Sequence, residues 1–130
     1  MLYPVKPAMA TVKVIVPLDS LEELESRVAE HFGRAPYFAL VELKGREARV
    51  EFLENPRRLG RPPGAYVAEM GIDYVVIKGG IGAKALALLR ESGVKVLEVE
   101  GSKLMDVIEA LKAGKYREYT GEGCPGKRGS

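Results

Sequence analysis

The chain has one histidine, His31, in the run EHFGRAPYF (30–38), three residues before Arg34. A neutral imidazole ligates metals, and a guanidinium close by suits an anion. The same histidine also fits a packed helix end, where an imidazolium favours the helix C-terminus. These residues leave both readings open. A second run, KGGIGAK (78–84), places Gly79, Gly80 and Gly82 where a strand would turn into a helix. Glycine lets the backbone approach a ligand closely, and a helix N-terminus offers N–H groups to anions. Gly80–Ala85 matches the GxGxxA form of the dinucleotide fingerprint, with Glu98 eighteen residues after Gly80. Only one further strand is expected after it, so the nucleotide reading lacks its context. A tight turn holding no ligand is the other reading.

Two more features carry chemistry. Arg57, Arg58 and Arg61 lie in NPRRLGRPPG (55–64), as an anion clamp or as a solvated loop. Cys124, the only cysteine, is either a metal-ligating thiol or an inert tail thiol. One histidine and one cysteine cannot supply the roughly four N/S ligands of a closed zinc site. No nucleophile–base arrangement can be assembled, so no enzyme activity is expected.

The elements that must position these residues read as follows. Thr11–Val16 is a β-branched strand stopped by Pro17. Ser20 with Glu23 fits a capping box, and Leu21, Leu24, Val28 and Phe32 form one helical stripe ended by Gly33. Tyr37–Leu43 and the alternating Ala48, Val50 and Phe52 make a hairpin around Gly45, its outer strand protected by charge. Ala65–Met70 reads as a short helix and Asp73–Ile77 as a buried strand. A helix follows the glycine turn to about Ser92. Val94–Val99 is a strand, and Ser102 caps a last helix carrying Leu104, Val107, Ile108 and Leu111. The fold class is therefore α/β: an antiparallel meander of three strands, then βαβ, in one mixed five-stranded sheet. The domain runs over residues 11–114, after a ten-residue N-terminal extension (1–10) and before a loose, flexible tail (115–130).

Composition narrows the function classes. At 130 residues a single domain is expected. A net charge of +2 with interspersed signs is no nucleic-acid footprint. No apolar run reaches the ~18 residues of a membrane span, and the N-terminus has no signal-peptide core, so a cytoplasmic protein is expected. The chain has no glutamine and one asparagine, Asn55, amid 20 basic and 18 acidic residues. That is a thermophile pattern.

EHFGRAPYF, ENP (54–56), GIDYVVIKGGIGAKAL (71–86) and GVKV (93–96) occur in an order and spacing that resemble one family. It is the dinitrogenase iron–molybdenum cofactor biosynthesis family, the NifX/NafY-like domain also found at the C-terminus of NifB proteins. The resemblance spans Val12 to Gly114. It implies a three-layer ribonuclease H-like fold with sheet order 3-2-1-4-5. It implies a carrier, not a catalyst, for an iron–sulfur or iron–molybdenum cluster precursor, working with cofactor-assembly proteins; a monomer or weak homodimer is expected. By position, the implied cofactor-binding residues are His31, Phe32, Gly33, Arg34, Gly79, Gly80 and Gly82, with His31 as a metal ligand; Cys124, beyond the matched stretch, is the one further candidate metal ligand. The first expected strand has no Asp or Glu, so the acidic metal site of nucleases with this fold is not expected.

Overall fold

The computed structural model describes residues 11–123. Strand β1 (Val12–Leu18) lies at the centre of the sheet, antiparallel to β2 (Tyr37–Lys44) and parallel to β4 (Tyr74–Ile77). Strand β3 (Glu47–Glu54) pairs with β2 through eight consecutive residue pairs. Strand β5 (Lys95–Glu98) lies parallel to β4. A two-residue strand, β6 (Arg117–Glu118), closes the far edge antiparallel to β5. The order is β3-β2-β1-β4-β5-β6. The expected order 3-2-1-4-5 of the ribonuclease H-like fold holds, with a sixth strand added. That strand lies in the stretch read as a tail. Both its residues are exposed and follow no apolar period, so the sequence carries no sign of it.

Alternation along the strands separates two cores. Ile15, Phe38, Val75, Ile77 and Val96 face helices α1 (Pro63–Ala68) and α2 (Ala83–Glu91), which supply Val67, Leu86 and Leu89. Val14, Val16, Val41, Val76 and Leu97 face helix α3 (Leu104–Lys112), which supplies Leu104, Val107 and Ile108. No helix among the described residues is long and apolar enough to cross a membrane.

The first expected strand does not stop at Pro17. Pro17 pairs opposite Phe38 within β1, and its carbonyl accepts from the Ala29 N–H at 2.9 Å. Backbone groups of alternate residues point the same way, and the Lys13 N–H and carbonyl both bond Asp73. The Pro17 nitrogen therefore points away from β2, and its missing N–H breaks no bond of that pair.

The expected helix over Ser20–Phe32 is absent. Ser20 Oγ accepts from the Arg27 N–H, and Ser26 Oγ accepts from the Glu22 N–H while donating to the Glu23 carbonyl. Glu23 takes φ 57°, which ends any helix there. The chain then runs back extended, with an isolated bridge between Leu18 and Val28. The carbonyls of Leu24 and Ser26 accept from the N–H groups of Met105 and Leu104. They satisfy donors that the start of α3 would leave orphaned. Serine hydroxyls compete with helical bonding in this way, and tertiary pairing outweighs the apolar stripe. Lys103, not Ser102, caps α3, with its N–H donating to Asp106 Oδ2 at 3.1 Å. The Glu25 carboxylate, 2.6 Å away, holds the Lys103 ammonium above its ordinary range and joins loop to helix.

Candidate functional site

The extended segment that replaces the expected helix carries His31 to the glycine turn. His31 and Gly80 form an isolated parallel bridge. The Phe32 N–H donates to the Gly80 carbonyl at 3.1 Å. The N–H groups of Gly79 and Gly80 donate to the Glu30 carbonyl at 3.1 and 2.8 Å. A Cβ at position 79 would stand 2.8 Å from that carbonyl oxygen, so glycine there permits the close approach. Gly79 and Gly80 therefore spend their donors on holding the His31 segment. His31 is at no helix end, so the dipole argument for it falls.

Each candidate residue then has a place. His31 is half-buried, and its Nδ1 is buried without a hydrogen-bond partner among the described residues. Phe32 is 1% exposed and stacks on Phe38 with centroids 5.3 Å apart, so its role is in the core. Gly33 is buried, and Arg34 is exposed. Lys78 forms an ion pair with Glu30 at 3.7 Å. Gly82 caps α2 with φ −66°. Glu98, the candidate ribose acid, is bonded to Arg117 at 3.0 Å instead. Cys124 lies outside the described residues. The last described residue, Gly123, packs on the glycine turn: a Cβ there would meet Ala83 Cα at 2.8 Å and the Ile81 carbonyl at 3.1 Å.

One residue had only its motif, ENP, to mark it. Asn55 is 4% exposed, and its Nδ2 donates to the carbonyls of Ala35 (2.7 Å) and Gly33 (3.3 Å). Its Oδ1 accepts from the Arg57 N–H at 2.9 Å and caps a 3₁₀ turn over Pro56–Leu59. Arg57 Nη1 also donates to the Gly33 carbonyl at 3.1 Å. Asn55 and Arg57 thus clamp the arginine-rich loop onto the chain just after His31. The sequence held a signal: Asn55 is the sole side-chain amide in the chain.

The clamp creates a groove. About 490 Å³ opens between that loop and the start of α2, with Gly33, Pro62, Pro63 and Gly82 in its walls and Arg57, Arg61 and Lys84 as its cations. Arg61 lies 5.4 Å over the Tyr66 ring and 3.5 Å from Glu69. No acidic residue stands in the first turn of α2 to offset its positive end. Among the described residues, no three His, Cys, Asp or Glu side chains come together as a metal site.

A mixed sheet in this order, with a histidine–glycine rim and a basic groove at one end, defines a small α/β domain with one concave, cationic end. The chain belongs to the dinitrogenase iron-molybdenum cofactor family, whose pattern matches residues 12–114. It is thus a small protein of the class tied to that cofactor's biosynthesis. An uncharacterized protein of Methanocaldococcus jannaschii, MJ0580, is 26% identical over 113 residues, covering 82% of this chain and 91% of that one. The Thermotoga protein TM1290 superposes with TM-score 0.66 at 27% identity, covering 86% and 99% of the two chains. The apo orange protein of Desulfovibrio gigas shares the fold alone, with TM-score 0.69 at 22% identity and coverage of 87% and 97%.

Proposed function

We propose that this chain is a non-enzymatic carrier for an anionic metal–sulfur precursor of the iron–molybdenum cofactor, bound at the rim shared by His31 and the basic groove. The carrying observation is the buried, unpartnered Nδ1 of His31 beside Gly80. A buried polar atom without a partner costs roughly 1–3 kcal/mol, and Gly33 and Gly82, each two residues beyond a member of the His31–Gly80 bridge, line the groove. The donor set fits such a cargo. One imidazole supplies a metal bond, and Arg57, Arg61 and Lys84 offset the negative charge of a sulfide-rich cluster. A cargo held by a single histidine and by charge exchanges readily, as handover to an assembly protein requires. Leu59, 82% exposed in the loop that forms the groove, is the contact such a partner would use.

Anaerobic reconstitution with iron, sulfide and molybdate, followed by desalting and metal analysis, tests the reading. Wild type should retain metal, His31→Ala should lose it, and Lys84→Ala should retain less as salt rises. Equal loading of wild type and His31→Ala removes the role of His31. No loading of wild type at all favours a module of the same fold that binds partner proteins without a cluster.

A further inference from the structure

The two sheet edges are treated very differently. β6 ends one edge with two residues. β3 ends the other with eight, in unbroken register with β2 and with no bulge or proline. Such an edge is a template for another strand. The hairpin turn has two residues, so Lys44 and Glu47 form a hydrogen-bonded pair, and pairs then alternate in type. By that alternation the N–H and carbonyl groups of Ala48, Val50 and Phe52 point outward, where no described strand lies. The side chains of Glu47, Arg49 and Glu51 are exposed, and no ion pair among the described residues engages them.

We infer that β3 is the seam of a homodimer, in which two copies pair antiparallel about Val50. In this register Val50 faces Val50 of the second copy and Ala48 faces Phe52, as hydrogen-bonded pairs. Arg49 then faces Glu51 twice, in the non-hydrogen-bonded positions where side chains come closest. Ala48, Val50 and Phe52, half-buried at the end of one core, would become continuous with their counterparts. The charge pattern rejects neighbouring registers. Pairing about Arg49 sets Arg49 against Arg49 and Glu47 against Glu51; pairing about Glu51 sets Glu51 against itself. Pairing about Ala48 joins Glu47 to Arg49 but overlaps only three residues of each strand, and pairing about Phe52 overlaps five and forms no Arg–Glu pair. Charges that would otherwise guard an edge here select one alignment. The groove is formed beyond the end of β3 that is remote from its hairpin turn, by the loop after Glu54 and the start of α2.

Sedimentation velocity of the full chain over a wide concentration range tests this, with circular dichroism to confirm that each variant is folded. Wild type should pass from the 14.2 kDa monomer to twice that mass as concentration rises. Glu51→Arg places like charges opposite each other twice and should weaken association by roughly tenfold. Adding Arg49→Glu to it should restore association. Glu47→Arg, which faces Leu53 in this register, should change little, and a loss of dimer there overturns the alignment about Val50. In a Cys124→Ser background, Arg49→Cys combined with Glu51→Cys should crosslink two copies under oxidation, because non-hydrogen-bonded pairs bring side chains within disulfide range. A chain that is monomeric at every concentration, or a dimer indifferent to Glu51→Arg, overturns the seam itself.

Discussion

The residue that controls the site most broadly is Asn55, which bonds the chain just after His31 rather than His31 itself. Its amide donates to the carbonyls of Gly33 and Ala35, and its oxygen starts the loop that walls the groove. Asn55→Ala leaves buried groups unsatisfied, and unfolding experiments should show a loss of about 2–4 kcal/mol. Asn55→Asp should be no better, since it turns a carboxylate oxygen toward those carbonyls. Metal uptake should fall in both variants even where they remain folded, because the groove loses its wall. At this scale the sequence was partly legible. His31 and the glycines were identifiable from residue type and spacing. Asn55 showed only as a retained amide in an amide-poor chain. The orphaned nitrogen of His31 had no signal at all, because its burial depends on the distant pairing of His31 with Gly80.

At the scale of elements, the periodic signals located β2, β3, β4, β5, α2 and α3 to within a few residues. The segment after β1 was misread because two orders coincide in it. Leu21, Leu24, Val28 and Phe32 have helical spacing, yet Leu21 and Leu24 are 52% and 46% exposed while Val28 and Phe32 are buried. An amphipathic helix would have buried all four. Truncation separates the cases: Leu24→Ala should change stability by less than ~0.5 kcal/mol, whereas Phe32→Ala should cost ~3–5 kcal/mol. Chemical denaturation checks both, and equal costs would restore the helix. The difference matters for function. A helix would have placed His31 at its end, whereas the extended chain delivers it alongside Gly80. The partners that hold the chain extended, the start of α3 and the glycine turn, lie far along the sequence, and local periodicity does not report them.

For the whole molecule, the meander and the βαβ unit were readable, while the strand order came from the family resemblance and the juxtaposition of rim and groove came from neither. The site lies beyond the C-terminal ends of β1 and β4, at one end of the sheet. The described chain begins at the other end of β1, a strand of seven residues and so ~20 Å away. It ends at Gly123, packed on the turn that opens α2. Everything after Gly123 therefore sets out from the edge of the site, and everything before Thr11 sets out from the opposite end. This bears on how the protein is handled. A polyhistidine tag at the C-terminus adds imidazoles within reach of the cargo and should raise metal uptake in the His31→Ala variant. The same tag at the N-terminus, attached to the chain that enters at the opposite end of β1, should add only the metal that the tag binds by itself. Metal analysis of the two tagged forms would show how much of any measured uptake belongs to the protein itself.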